Sequence, residues 1–361
     1  MRREVIDYKP IRDFWNIAKG VGIIAIVIGH TCIGFASNFV YMFHLQFFFF
    51  ISGFLYSEIK YGNDPWLNMK NKIKSLWLPY FLIISFFVIF HNLFLILGLQ
   101  LQDTSNYSLT EILVRVCEAM FGYSEEILAG PTWFLRTLAM AMIIFGFIVF
   151  ISRIIERKSS LVVKIFFQLV CVVALTVVGY PLILNHIQLP ADMQISFEVM
   201  PFIWVGYILR NYKGDVEKFL NPIVAVIAFV IVGVVSVFKS IDFAYGSEFP
   251  YMHLISLLGI YGCLYIAKLI RKFKASTKIM AFVGELSLYI MFLHFFILRI
   301  IDRIICNIKG DPTGDLFGNL PVAFEELWWL YLIVCIPVSV LLGWVIKKCS
   351  TLIKRACTNQ E

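Results

Sequence analysis

Charge is scarce in this chain. Asp, Glu, Lys and Arg together make up 15% of its 361 residues, while 60% are hydrophobic and 35 are phenylalanine. That balance argues against a soluble globular domain and for a polytopic membrane protein. Paired cysteines are missing as well. The eight present (Cys32, Cys117, Cys171, Cys263, Cys306, Cys335, Cys349 and Cys357) are scattered singly, with no C-x-x-C spacing. They read as small packing residues rather than zinc ligands. Gly-rich phosphate loops, H-E-x-x-H, G-x-S-x-G and paired carboxylates on one helix are also absent, which argues against an ATPase, a zinc protease or a serine hydrolase. No low-complexity tail, long linker or internal repeat divides the chain, so a single domain over 1–361 is expected.

The formal net charge is +7, yet no nucleic-acid partner follows, because the basic residues sit in short clusters beside apolar runs, as topology signals do. Arg2, Arg3, Lys9 and Arg12 precede the first run as in a signal peptide. That run is too long, and no small-residue cleavage site follows, so it is kept as a helix. Runs of about 17 to 25 apolar residues mark spanning helices. They are expected at 17–37, 40–59, 76–98, 131–152, 161–183, 196–210, 221–239, 249–269, 280–301 and 326–347. The predicted fold class is an all-α membrane protein of about ten transmembrane helices. The sixth run holds Glu198, Pro201 and Gly206 and is expected to be broken or interfacial. With the N-terminus inside, most Lys and Arg fall on the cytoplasmic side, while Arg115, Lys239, Arg299, Arg303 and Lys309 fall outside. Both termini are therefore expected in the cytoplasm, and the protein in the cell (inner) membrane. Of the two largest outside segments, 99–130 predicts an interfacial helix from Leu109 to Phe121 capped by Ser108 or Thr110, and 302–325 is rich in Gly and Asp (G-D-P-T-G-D-L-F-G-N). They either line a way in for a polar acceptor or simply connect helices.

The stretch from Lys19 to Phe54 concentrates the chemistry. A histidine inside a spanning helix is costly and marks a candidate site, and two runs here carry one each, His30 and His44, near where they meet. Lys19 and His30 are 11 residues apart, about three turns plus 20°, so on one helix they share a face about 16 Å apart. A cation at the cytosolic foot with a proton-exchanging group deep inside suits a ligand with an anionic head and a long thin arm, such as an acyl-coenzyme A. The bland alternatives are snorkelling for Lys19 and a packed, carbonyl-bonded ring for His30. His44 at comparable depth favours a general base. Arg136 follows P-T-W-F-L (Pro131 to Leu135). It is either an electrophile for an acceptor or oxyanion, or half of an ion pair with Glu198, Glu325 or Glu326. His294, five residues after Tyr289, reaches the same layer. His91 and His253 read as packing histidines, and Phe47 to Phe50 as packing or lipid-facing residues.

Several blocks in order resemble the acyltransferase-3 family of integral membrane O-acyltransferases, in particular its fucose 4-O-acetylase-like branch. D-F-W-N-I-A-K-G-V-G-I-I-A-I-V-I-G-H (Asp13 to His30) is similar to the family's first motif, a basic residue, ten residues and a histidine. F-H-L-Q-F-F-F-F-I-S-G-F (Phe43 to Phe54) resembles its F-H-M-P-L-F-F-F-I-S-G-F block. K-I-K-S-L-W-L-P-Y (Lys72 to Tyr80), T-W-F-L (Thr132 to Leu135) and G-E-L-S-L-Y-I-M-F-L-H (Gly284 to His294) correspond to later blocks. Helices five to eight match only in hydrophobicity. The resemblance implies transfer of an acyl group, usually acetyl from cytosolic acetyl-CoA, to a sugar hydroxyl facing away from the cytosol, with His30 catalytic. Three positions depart from the pattern. Lys19 replaces an arginine and loses bidentate phosphate binding, Asn16 replaces an aspartate, and Gln46 replaces a proline.

On this reading His30, His44 and Arg136 do the chemistry, Lys19, Asn16, Lys72 and Lys74 hold the donor, and Trp133, Ser52, Tyr289, His294 and Glu198 support the acceptor. No metal and no permanently bound cofactor is expected; acetyl-CoA or another acyl-CoA is the donor substrate, in a setting of membrane lipid. The acceptor is a glycan or lipid-linked sugar. The rival is a polysaccharide or lipid-linked sugar transporter, which suits an intramembrane His/Arg cluster equally but not the lack of a repeat.

Overall fold

The computed structural model describes residues 8–31, 34–100, 104–124, 126–213, 216–239, 251–310 and 322–358, which form helices and no strand. Arg2, Arg3, residues 249–250 and all but the first residue of the G-D-P-T-G-D-L-F-G-N segment lie outside them. The chain opens with α1 (Tyr8–Gly29), α2 (Gly34–Tyr41) and α3 (His44–Phe54). The runs expected at 17–37 and 40–59 are thus three pieces. Helix α1 starts nine residues early and stops at Gly29, where His30 and Thr31 turn back on the carbonyls of Val27 and Ile28. A second break at Met42 and Phe43 precedes His44. Hydropathy reports how much apolar chain there is, not where it turns.

After α4 (Glu58–Tyr61) come α5 (Pro65–Lys72), a π turn over Ile73–Trp77, α6 (Leu78–Ile89) and α7 (His91–Ile96). The run expected at 76–98 therefore begins at Pro65, where Asp64 caps the helix by accepting from the Leu67 N–H at 2.9 Å and proline takes the first position. It is interrupted at Phe90. The expected interfacial helix is α8 (Leu109–Met120). Ser108 rather than Thr110 caps it: Ser108 Oγ accepts from the Glu111 N–H at 3.3 Å, and Glu111 Oε2 accepts from the Ser108 N–H at 2.7 Å. Glu111 is thereby held below the usual carboxylate range, chiefly by the Ser108 N–H.

The remaining helices are α9 (Trp133–Glu156), α10 (Leu161–Leu184), α11 (Met193–Glu198), α12 (Met200–Lys213), α13 (Pro222–Phe238), α14 (Tyr251–Arg271), α15 (Lys274–Glu285), α16 (Ser287–Lys309) and α17 (Trp328–Thr358). The sixth expected run is indeed broken, at Val199 between α11 and α12. The ninth, expected unbroken over 280–301, bends by 75° at Leu286 between α15 and α16. By length and composition six described helical stretches can cross a membrane, the bent α15–α16 pair makes a seventh, and Pro222–Phe238 is apolar but shorter. This is an all-α membrane protein.

Helix α1 lies among α2, α3, α14, α15 and α16. Its tightest neighbour is α15, where glycine removes the side chain that would hold the backbones apart. A Cβ on Gly284 would collide with the Asn16 carbonyl, and one on Gly20 with that of Met280. The same device joins α3 to α12, since a Cβ on Gly53 would strike the Ile203 carbonyl and one on Gly206 the Phe50 carbonyl. Small residues serve this purpose in membranes, where apolar burial alone does not drive helices together. Phe47 to Phe50 are buried between these helices, Phe49 stacking edge-on against Phe134 at 5.1 Å, and Trp15 lies 3.9 Å from Phe54. They are packing residues.

Gly284→Ala should force α1 from α15 and cost about 1–3 kcal/mol of overpacking, whereas Gly34, which has nothing within 4 Å of a built Cβ, should accept alanine. Thermal melting of the detergent-solubilised variants checks this; equal melting temperatures would refute the backbone contact.

Candidate active site

The turns that split the first two runs bring three polar rings together. His30 closes α1, Tyr41 ends α2 and His44 begins α3. The Tyr41 hydroxyl lies 3.2 Å from His30 Nδ1, and the Tyr41 ring meets that of His44 edge-on at 4.7 Å. From α16 comes a third imidazole: His294 lies 5.4 Å from His30 between ring centroids. Phe295 covers the edge of His30 at 4.6 Å. Gly20 and Gly284 mark where α1 and α15 touch, and past the 75° bend at Leu286 helix α16 brings His294 beside His30.

Backbone carbonyls settle two of the tautomers. His44 Nδ1 lies 2.8 Å from the Val40 oxygen and His294 Nδ1 2.9 Å from the Ile290 oxygen. A carbonyl only accepts, so both Nδ1 atoms carry the hydrogen, and in the neutral rings Nε2 keeps the lone pair. For His294 that Nε2 is buried without a hydrogen-bond partner. The arrangement is a cluster of proton acceptors, His44 and His294 buried and His30 half-buried, two of them oriented by backbone carbonyls, which suits general-base chemistry.

Other predicted residues fall elsewhere. Lys19 is half-buried on α1, with Glu285 as the charge that acts on it; Glu285 itself accepts from Lys347 at 2.6 Å. Asn16 lies at the α1–α15 contact. Lys72 is half-buried and Lys74 exposed, beside the π turn. Ser52 and Trp133 are half-buried, and Tyr289 packs on Gly343 of α17. Glu198 is 2% exposed with Oε1 unpartnered, and its carbonyl accepts from His253 Nε2 at 3.1 Å. His91 pairs with Glu126 and stacks on Tyr107 at 3.5 Å. Tyr41 was not singled out by sequence; its signal is a hydroxyl three residues before His44 in Y-M-F-H.

Arg136 takes the ion-pair alternative, with Asp192 rather than a glutamate. Its Nε donates to Asp192 Oδ2 at 2.6 Å, and one terminal nitrogen donates to the Ser124 carbonyl at 3.3 Å and the Tyr80 hydroxyl at 3.4 Å. Ala191 and Asp192 are both left-handed, with φ of 57° and 53°, a conformation costing non-glycine residues about 1–2 kcal/mol each. The buried guanidinium holds that turn in place.

Comparison with protein families matches residues 12–348 to an acyltransferase domain. No curated protein and no solved structure matches the chain.

If Arg136 is a lock, Asp192→Asn should lower stability by about 3–5 kcal/mol, because it strands a buried charge, and the double variant Arg136→Met/Asp192→Leu should cost less than the single one. Melting curves of the wild type and the two variants test this, and a double variant at least as destabilised as Asp192→Asn would remove the lock.

Proposed function

Since the chain belongs to the acyltransferase-3 family of membrane acyltransferases, we propose that it moves an acetyl group from cytosolic acetyl-CoA to a hydroxyl of an extracytoplasmic or lipid-linked cell-surface glycan, in the manner of the fucose 4-O-acetylase-like branch. The observation that carries this reading is the cluster of half-buried His30 and Tyr41 with buried His44 and His294 at the end of α1 remote from Lys19. We place the chain in the inner membrane with about ten crossings and both termini in the cytoplasm. The donor then comes from the side of Lys19, Asn16, Lys72 and Lys74, with its thioester arm reaching along α1 over about 16 Å. The acceptor comes from the opposite side, past the Ala129–Trp133 segment, where Gly130 lies against Phe295.

In this mechanism His30 donates from Nδ1 to the Tyr41 oxygen and keeps its lone pair on Nε2. Nε2 takes the proton of the acceptor hydroxyl as that oxygen attacks the thioester carbonyl. The carbon–sulfur bond breaks, and the leaving thiolate takes the proton back from His30. His294, with its own lone pair in the same layer, steadies the imidazolium formed in between, and His44 holds Tyr41 from behind. Arg136 is committed to Asp192, so it acts on the site only by fixing the Ser124 and Asp192 turns.

His30→Ala should abolish acetyl transfer while membrane insertion and melting persist, and Tyr41→Phe should slow it about fivefold, the worth of one net hydrogen bond of about 1 kcal/mol. Thiol release from acetyl-CoA by the purified protein, with mass spectrometry of cell glycans with and without it, provides the readout. Near-normal transfer by His30→Ala would sink the assignment.

A further inference from the structure

The sequence places Arg299 at the outer boundary of a helix, as an ordinary topology charge. The structure buries it. Arg299 is 2% exposed on α16, and Nε and both terminal nitrogens have no hydrogen-bond partner. A guanidinium presents five N–H donors in a fixed fork, and an unpaired charge away from water is among the costliest things a fold can contain. The nearest candidate counter-charge on the same helix, Asp302, acts on Arg299 through space but makes no hydrogen bond to it: Oδ1 accepts from the Tyr331 hydroxyl at 2.6 Å and from the Ala323 N–H at 2.8 Å, and Oδ2 is buried without a partner.

Its position is informative. Arg299 lies five residues beyond His294 on α16, about 8 Å along the axis. Helix α17 runs along the same stretch, its Tyr331 at Asp302 and its Cys335 donating to the His294 carbonyl at 3.7 Å. Lys19 stands on the other side of the histidines, near Glu285 where α15 gives way to α16. The histidine cluster is thus flanked along its long direction by two cationic stations. The first serves the anionic head of the donor in the function proposed above. Among the described residues none hydrogen-bonds the second.

We propose that Arg299 is the recognition site for an anionic group, a carboxylate or phosphate, carried by the acceptor close to the hydroxyl that is acylated. The inference rests on the acyl-transfer reading. A fork of unpaired N–H groups matches the two oxygens of either anion, and a buried polar group left unpaired by a neutral analogue penalises that analogue heavily.

Three acceptors test it: a uronic-acid oligosaccharide, its carboxyl-reduced neutral counterpart, and a neutral sugar linked through a prenyl phosphate. The wild type should favour one charged acceptor over the neutral one by at least tenfold in kcat/KM, and which one identifies the source of the anion. Arg299→Gln should bring that ratio towards one by raising KM for the charged acceptor, and Arg299→Lys should keep part of it. A wild type without preference, or an equal loss on charged and neutral acceptors, overturns the proposal. Thermal melting with the uronate and the prenyl phosphate separates the two readings. If the wild type transfers to none of the acceptors yet is stabilised by an anion and Arg299→Gln is not, the anion site stands and the acyl-transfer reading falls. If neither anion stabilises the wild type and no transfer occurs, both fall.

Discussion

The contact of α1 with α15 at Gly20 and Gly284 sets the register on which the site depends. In lipid, helices are not squeezed together by water, so close approach of backbones has to come from surfaces without side chains. A Cβ at either glycine would run into a carbonyl of the other helix. Once that crossing is fixed, the positions ten residues on follow: His30 at the end of α1 and His294 past the 75° bend at Leu286. The bend turns α16 by 75° from the direction of α15. The break and the close contact act as a pair, one setting the origin and the other the direction.

A second constraint is the cost of polar groups among apolar neighbours. Most of those buried here are answered from within the protein. Lys164, 3% exposed, pairs with Glu58 at 2.7 Å and Glu156 at 2.9 Å, and the Arg210 guanidinium donates to the Phe54 carbonyl at 3.0 Å. Asn68 donates to the Met142 carbonyl at 2.9 Å, with Gly146 leaving room for its amide. Against that background the unanswered atoms carry meaning. His294 Nε2, the Gln46 amide, Glu198 Oε1 and the Arg299 guanidinium are all buried without partners. Two of them, His294 and Arg299, lie within one and a half turns of a single helix.

Sequence made the class, the family resemblance and the histidines of this protein legible, because each depends on residue type and order: long apolar runs, a basic residue eleven positions before a histidine, F-H at the head of a phenylalanine run. Helix ends were less legible for a physical reason. An apolar run continues through the turns at His30 and Phe43 because those turns are themselves buried, so hydropathy does not fall where the chain reverses. The partner of Arg136 was hidden differently. Glutamates near the expected helix ends were the natural choice, but Asp192 reaches the guanidinium through a left-handed turn that residue types alone do not announce. Tyr41 was overlooked because it falls inside the expected run 40–59, where residue types do not announce the break that follows it.

Lys19 and Arg299 illustrate how the same residue class acquires opposite roles from position. Lys19 departs from the family's arginine, and the structure shows what the shorter list of donors is asked to do: it lies half-buried with Glu285 nearby, and Glu285 is itself shared with Lys347. A point charge suffices where neighbouring side chains and water complete the shell. Arg299 has no such shell. It is buried on α16 with no hydrogen-bond partner, and Asp302, the acidic residue one turn on, makes its hydrogen bonds to Tyr331 and Ala323 while acting on the guanidinium only through space. A lysine there could satisfy one direction, whereas the planar fork can grip two oxygens at once. In the orientation proposed above, the chain keeps the point charge at the cytosolic end and the directional donor at the other. That is the distribution expected if the first station need only attract a polyanion and the second must orient a hydroxyl-bearing one.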